Sequence, residues 1–305
     1  MWLFGLLLST GVAGAALYYL APGAMLAAVM RLARRRGRLG LREVEVDGHR
    51  VPCLDGGQGE PLLLLHGFAA NKDHWTMIAP YLTRHFHVYA PDLPGFGDAS
   101  RLDDAGYGLD TQLERIASLA DALGLDSFHV GGNSMGGYLA AMFAARYPDR
   151  VRSLWLLAPA GVMASEPSEV LKLIEAGDNP LITNTLADFE RLAALCFSRQ
   201  PPMPAQFKRA LLARARAEAP FNAKIFDELF AEPVALESRV EGLATRTLLV
   251  WGDEDRIVHP SGIDVLAGLL PNGQARLMKR MGHVPMLERP AETAADLLRF
   301  HGIAR

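Results

Sequence analysis

The sequence predicts an α/β fold with a mostly parallel, twisted sheet and helices on both of its faces. Short runs that are apolar on every side, such as 61–65 and 86–90, alternate with segments of helical periodicity such as 109–123. A strand that is apolar on every side is covered on both faces, as in a parallel sheet. The 305 residues suit one large α/β domain with an insertion, or two smaller domains.

The amino-terminal segment predicts a membrane helix. Residues 1–30 carry no charged side chain, and 1–20 is long enough to span a bilayer. The continuation, 24–36, is apolar and then basic, which favours a helix at the headgroup level. A signal peptide would begin with a basic segment, which is missing, and a buried core helix is the remaining alternative. We therefore predict an uncleaved anchor with a juxtamembrane helix over 1–38, placed in the inner membrane.

Charge is distributed unevenly along the chain. The first 42 residues hold six arginines and no acid, whereas the remainder holds 25 basic and 34 acidic residues. An acidic body argues against a nucleic-acid partner. Arginines that follow the span favour a cytoplasmic body by the positive-inside rule, but they could instead bind anionic headgroups. The side of the membrane stays open.

The strands and helices follow from periodicity and from turn residues. The predicted strands are 41–46 and 49–54, joined by an Asp47-Gly48 turn, then 61–65, 86–90, 127–130, 151–157, 247–251 and 275–278. The predicted helices are 71–83, 109–123, 138–146, 260–270 and 291–301.

About ninety residues without strand character separate strands 151–157 and 247–251. They are rich in Leu, Ala, Phe and Arg and are interrupted by prolines. We predict a helical cap over 162–240, inserted before the strand 247–251, with the core formed by 39–161 and 241–305. Some of the cap's apolar residues should face the active site, although packing within the cap explains most of them singly.

A strand-to-helix junction carries the pattern Gly132-x-Ser134-x-Gly136, which is typical of a nucleophile elbow. The turn is so sharp that the serine backbone is strained and the flanking residues must be bare. Ser134 would stand at a helix N-terminus, where developing negative charge is stabilised. The alternative is a glycine-rich helix start that packs tightly or holds a phosphate.

Asp255 and His283, which lie much further along the chain, would complete a catalytic triad in the order Ser, Asp, His. Ser134, Asp255 and His283 each follow a predicted strand, so they should meet at one edge of the sheet. His283 would act as the base and Asp255 would orient its ring. Asp253 is a rival acid, but the pattern Gly-x-x-Asp favours Asp255.

Neither a metal nor a cofactor is expected. The two cysteines, Cys53 and Cys196, give no disulfide framework and no metal-ligand spacing, and the histidines form no cluster.

Several motifs together resemble the α/β-hydrolase superfamily: 66–75, 92–98, 132–137, 252–255 and 282–283. The Lys72-Asp73-x-Trp75 motif, the apolar amino terminus and the run 220–226 are similar to membrane-anchored monoacylglycerol lipases and to bacterial PlaF-type phospholipase A enzymes. The resemblance implies the α/β-hydrolase fold, hydrolysis of acyl esters of glycerol or lysophospholipids, and, for the PlaF type, a homodimer. It also implies an oxyanion hole built from the backbone N–H groups of Phe68 and Met135. The residues expected to contact the substrate are Phe68, Met135, Leu181, Phe189, Phe226 and Val284.

Two other functions are alternatives. Carbon–carbon bond hydrolases of ring-cleavage products share the Gly-Asn-Ser-Met-Gly-Gly elbow. They usually carry Gly-Pro-Gly after the His-Gly and Trp after the last His, where this chain has 69–71 and Val284. A membrane-tethered binding module without activity would lack a triad residue, and none is missing.

Overall fold

A computed structural model describes residues 18–231 and 233–303. The predicted membrane span falls mostly outside this range. Among the described helices, none combines the length and the apolar character that crossing a bilayer requires.

In the described part of the chain, eight strands form one sheet in the order β1-β2-β4-β3-β5-β6-β7-β8. Pairing is antiparallel between β1 and β2 and between β2 and β4, and parallel elsewhere, so the prediction of a mostly parallel sheet is confirmed. The strands are β1 (Gly40–Val46), β2 (His49–Gly57), β3 (Glu60–Leu65), β4 (Phe86–Pro91), β5 (Phe128–Asn133), β6 (Val151–Leu157), β7 (Thr247–Gly252) and β8 (Gly273–Met278).

Strand β3 shows why its sequence is apolar on every side. Leu63 and Leu65 belong to the core cluster on one face of the sheet, and Leu62 and Leu64 belong to the cluster on the other. Side chains alternate across a strand, so both faces of β3 are buried only because helices cover both sides of the sheet.

The β1–β2 hairpin turns at Asp47 and Gly48, whose φ angles are 49° and 71°. Two successive positive φ values are what a type I′ turn requires, and Asp-Gly adopts them readily. The register that results pairs Val46 with His49.

The helices of the described chain, numbered in order, are α1 (Pro22–Arg36), α2 (Ala79–Leu82), α3 (Leu109–Ala122), α4 (Met135–Arg146), α5 (Glu169–Glu175), α6 (Leu186–Cys196), α7 (Ala205–Phe230), α8 (Glu237–Val240), α9 (Gly262–Leu269), α10 (Pro285–Glu288) and α11 (Pro290–Phe300). Helix α1 packs against α7, and the ring of Tyr18 lies 6.1 Å from that of Phe207.

The continuous helix predicted over 71–83 is wrong. The segment forms a 3-10 turn, Lys72–Trp75, and then the short helix α2. Pro80 explains the break, because it has no N–H to donate and is accommodated only in the first turn of a new helix.

Helices α5–α8 occupy the segment between β6 and β7, with no strand among its described residues. As a domain boundary, 162–240 stays a prediction. Helix α7 is 26 residues long, and its residues Ile225 and Leu229 are buried in the main core cluster.

Candidate active site

The turn at Ser134 lies between the last residue of β5 and the first residue of α4. Ser134 has φ 57° and ψ −121°, a backbone conformation that residues other than glycine rarely adopt. A Cβ on Gly132 would lie 2.2 Å from the carbonyl oxygen of Gly136, and one on Gly136 would lie 2.1 Å from that of Leu65. Close packing of strand against helix therefore requires glycine at both positions, as the motif predicts.

His283 and Asp255 form a buried pair. His283 Nδ1 lies 2.7 Å from Asp255 Oδ2, and both residues are 4% exposed. The other carboxylate oxygen, Oδ1, accepts the N–H groups of Ile257 (2.8 Å) and Val258 (3.0 Å). An ionised carboxylate can only accept a hydrogen bond, so Nδ1 must carry the ring proton and donate it to Asp255. Nε2 is then the unprotonated nitrogen and can act as an acceptor. Nε2 is buried and has no hydrogen-bond partner among the described residues.

The rival acid lies elsewhere. Asp253 is 3.5 Å from Lys279 Nζ and accepts the N–H of Met281 at 3.4 Å. Of the two predicted alternatives, Asp255 is the one that contacts His283.

Ser134 and His283 line one cavity of about 330 Å³. Four of the residues expected to contact the substrate also line it: Phe68, Leu181, Phe189 and Val284. The other two are not among the described residues that line this cavity.

Met135 and Phe226 are those two residues, and packing accounts for their positions. The side chain of Met135 is 1% exposed within the core. The ring of Phe226 packs edge-on against that of Phe68, at a centroid distance of 5.6 Å, so it supports the cavity wall from behind.

A larger, open depression of about 710 Å³ lies beside Asp255. Glu166, Glu169, Asp253 and Glu254 are on its wall, whereas Ser134 is not. The depression is acidic and lacks the nucleophile candidate, so the smaller cavity is the candidate active site.

The loop after β3 passes directly beside Ser134. A Cβ on Gly67 would lie 3.3 Å from Ser134 Cβ. Met135 is the first residue of α4, so its N–H has no acceptor within the helix. The loop carrying Phe68 and the start of α4 thus border the serine from two sides, as an oxyanion hole would require.

His66 supports this loop. Its Nε2 accepts the N–H of Leu93 at 3.0 Å, so the ring proton is on Nδ1, which donates to the carbonyl of Gly67 at 2.8 Å. The residue is fully buried, and burial lowers its pKa. Both ring nitrogens are therefore engaged in holding the loop.

Comparison with known proteins identifies the family. A model of the alpha/beta hydrolase fold matches residues 60–290. The chain belongs to that family.

Named relatives of this hydrolase are lipases. It is 36% identical to Lipase 3 of Moraxella sp. (strain TA144) over 250 residues, which is 81% of this chain and 78% of the relative. It is 32% identical to monoacylglycerol lipase ABHD6 of Bos taurus, with coverage of 80% and 76%. Among solved structures, a membrane phospholipase A described as a novel bacterial virulence factor is 43% identical, with a TM-score of 0.91 and coverage of 99% and 98%. The chain is a carboxylic ester hydrolase.

The hydrolase also has contacts between the 162–240 segment and the loop that carries His283. The N–H of His283 donates to the carbonyl of Cys196, the last residue of α6, at 2.7 Å. The Glu288 carboxylate accepts the N–H groups of Ser198 (3.1 Å), Arg199 (3.2 Å) and Gly282 (3.3 Å). Glu288 thus joins the chain after α6 to the residue before His283.

Sequence reasoning missed a polar strip on the cavity wall. Arg214, Glu218 and Asn222, all on α7, line the same cavity as Ser134. Their spacing of four residues is the signal that was available, since such positions share one helix face. Nothing in the sequence indicated that this face points toward the serine.

Within the described residues, no group of three or more His, Cys, Asp or Glu side chains is arranged to hold a metal ion.

Proposed function

We propose that this protein is a membrane-anchored serine hydrolase that cleaves carboxylic esters of acyl lipids, either monoacylglycerols or lysophospholipids and phospholipids. One observation carries the proposal. Ser134 lines the same cavity as His283, whose Nε2 is free to accept a proton because Nδ1 is engaged by Asp255.

In the proposed reaction, His283 Nε2 takes the proton of the Ser134 hydroxyl as Oγ attacks the ester carbonyl. The carbonyl oxygen becomes negatively charged and is stabilised by the backbone N–H groups of Phe68 and Met135. The imidazolium then gives its proton to the leaving alcohol, and an acyl-serine remains. Water, deprotonated by His283, repeats the sequence and releases the fatty acid. Asp255 holds the ring and stabilises its charged form throughout.

The shape of the cavity supports an acyl substrate. Leu181, Phe189, Leu192 and Phe197, from the proposed cap, line it together with Val284 of the core. An apolar wall of this kind excludes water from the ester and gains free energy by burying methylene groups, about 0.8 kcal/mol each. We propose that the cap, residues 162–240, forms the acyl-chain pocket.

A panel of esters tests the function. Purified protein in detergent is assayed with p-nitrophenyl esters, monoacylglycerols and lysophospholipids. We expect hydrolysis of the p-nitrophenyl esters and of at least one lipid class. Absence of all ester hydrolysis in a folded sample would sink the proposal.

Helix α1 supports the membrane part of the proposal. Its last turn carries Arg34, Arg35 and Arg36, and Leu20 and Leu32 nearby are 84% and 59% exposed. Basic and exposed apolar groups in one segment suit the interface between headgroups and acyl chains. Arg34 also forms two hydrogen bonds with Asp73, at 2.7 and 2.6 Å, which fixes this helix to the catalytic domain. We propose an inner-membrane anchor over 1–38 and a homodimer. The side of the membrane that the catalytic domain faces stays open.

Deleting residues 1–20 tests the anchor while leaving α1 in place. The full-length protein should need detergent for extraction, because 1–20 supplies the span-length apolar run. The truncated protein should be released from membranes by high salt, since only the basic, interfacial helix remains. Membrane fractionation with salt and detergent washes measures this. Truncated protein that still needs detergent would place the anchor elsewhere.

Glu288 tests whether the cap end positions the catalytic histidine. Glu288→Ala removes the acceptor that joins Gly282 to the chain after α6, and a shift of about 1 Å in a catalytic group can cost about 100-fold in rate. We expect kcat for a p-nitrophenyl ester to fall between about 10- and 100-fold, with a smaller change in KM. Glu292→Ala, which removes a carboxylate paired only with arginines on the surface, serves as the control. Equal kcat values for the two variants would show that the contact has no positioning role.

A further inference from the structure

Helix α7 places a polar strip on a cavity whose remaining walls are largely apolar. Arg214, Glu218 and Asn222 are four residues apart, so they share one face and extend along about 12 Å of helix. Leu181 and Phe189 are among the apolar residues of the same cavity. An ester of a fatty acid and a polar alcohol has the same division into apolar and polar parts.

Two atoms of the strip are buried without a hydrogen-bond partner among the described residues, Arg214 Nη2 and Asn222 Oδ1, but Arg214 Nη2 is ion-paired with Asp98 at 3.0 Å. Asn222 is 4% exposed, and its Oδ1 is buried without a hydrogen-bond partner among the described residues. Buried polar atoms are nearly always hydrogen-bonded, so one that is not requires an explanation. An amide accepts and donates, which matches a hydroxyl group, itself both a donor and an acceptor.

The charges at this end of the cavity are balanced. Arg214 lies 3.0 Å from Asp98 and 2.9 Å from Glu218, and Arg101 lies 3.0 Å from Glu218. The network contains four cations and four carboxylates: Arg34, Lys72, Arg101 and Arg214, with Asp73, Asp92, Asp98 and Glu218.

His74, which also lines the cavity, adds no positive charge at neutral pH, because burial lowers its pKa to about 4. A phosphate here would meet the Glu218 carboxylate and cations that are already paired. The balance of charge therefore favours an uncharged ligand.

We infer that the α7 face around Asn222 is a subsite for the alcohol part of the substrate, and that it selects an uncharged polyol such as glycerol over a phosphate-bearing head. In this subsite the Asn222 amide hydrogen-bonds a hydroxyl of the bound alcohol, while the acyl chain lies along the apolar wall. The inference rests on the proposed ester hydrolysis at Ser134.

The test compares substrates that share one acyl chain: a monoacylglycerol, the methyl ester and the lysophosphatidic acid, presented in mixed detergent micelles. Full-length wild type is compared with Asn222→Ala and with the control Asn184→Ala, an exposed cap asparagine. We expect wild type to favour the monoacylglycerol over both other substrates. In Asn222→Ala the ratio of kcat/KM for monoacylglycerol to that for methyl ester should fall about tenfold, the effect of one lost hydrogen bond. Asn184→Ala should keep the wild-type ratio.

Thermal unfolding separates a binding role from a structural one. Asn222→Ala should unfold at the same temperature as wild type or higher, because it removes a buried group without a partner. Asn222→Ser, which keeps a hydroxyl, should retain part of the selectivity. If Asn222→Ala does not fold, the serine variant alone is compared, and an unchanged ratio in it overturns the subsite.

Other results would also decide the question. An equal fall for monoacylglycerol and methyl ester would assign Asn222 a structural role and overturn the subsite. A wild-type preference for the lysophosphatidic acid would overturn the selection of an uncharged head. Failure of wild type to hydrolyse any of the esters would instead refute the proposed function itself.

Discussion

Ser134→Ala should lower ester hydrolysis by about 10⁴- to 10⁶-fold and leave the fold intact. The variant loses the nucleophile but keeps His283 and the N–H groups of Phe68 and Met135, so only catalysis by binding and oxyanion stabilisation remains. Alanine replaces a hydroxyl for which no hydrogen bond is seen in the described structure, so the unfolding temperature should change by no more than about 2 °C. Initial rates with a p-nitrophenyl ester and a thermal melt measure the two effects.

A fluorophosphonate probe gives an independent readout of the same residue. The probe should label wild type and Ser127→Ala, in which the altered serine precedes the opposite end of β5, but not Ser134→Ala. Labelling that persists in Ser134→Ala would show that another serine is the nucleophile. Loss of labelling in both variants would point to a general effect on the fold.

The elbow and the central strands were predictable because each is marked by a short sequence pattern. Gly132 is required by the turn itself, where a Cβ would meet the carbonyl of Gly136, and Gly136 is required where the turn passes the end of β3, because a Cβ there would meet the carbonyl of Leu65. The all-apolar run of β3 reflects coverage on both faces, which only a sheet between two helical layers provides. Such features are predictable from a short stretch of chain.

Features that depend on how distant segments pack were not predictable. Phe226 was expected to contact the substrate, but its ring lies against Phe68, because Ile225 and Leu229 fix the rotation of α7 about its axis. The same rotation turns Asn222 toward the cavity. Helical periodicity identifies a face, but the partner of that face is set by tertiary contacts.

The second large effect concerns a buried lysine beside the active-site loop. Lys72 is 1% exposed, and its Nζ lies 2.7 Å from Asp92 Oδ2 and 2.6 Å from Asp98 Oδ2. Asp92 is fully buried and also accepts the N–H groups of Lys72 (2.7 Å) and Asp98 (2.8 Å). The cluster therefore joins the chain after the Phe68 loop to the chain after β4. Lys72 and Asp92 are withdrawn from water, whereas the Asp98 side chain is 49% exposed.

Acid should weaken this cluster. Burial alone would raise the pKa of Asp98, but the hydrogen bond from Lys72 and the charges of Lys72 and Arg214 outweigh it and lower the pKa. A carboxyl whose pKa is lower in the folded state stabilises the fold above its unfolded pKa, and this contribution is lost as pH falls through the folded value. The contribution of Asp98 should therefore persist at neutral pH and disappear only in strong acid.

Lys72→Met should destabilise the protein by about 3–5 kcal/mol, because it leaves the Asp92 carboxylate buried without its cation. Methionine has a similar length, so the loss comes from the charge rather than from an empty space. At about 2–4 °C per kcal/mol for a domain of this size, the unfolding temperature should fall by about 10 °C.

The matched control is Lys279→Met, whose lysine side chain is 76% exposed and lies 3.5 Å from Asp253. An exposed pair contributes less than about 1 kcal/mol, so the control should shift the melt by no more than about 4 °C. Melts of full-length protein in detergent compare the two variants, and equal shifts would mean that the buried cluster contributes no more to stability than an ion pair on the surface.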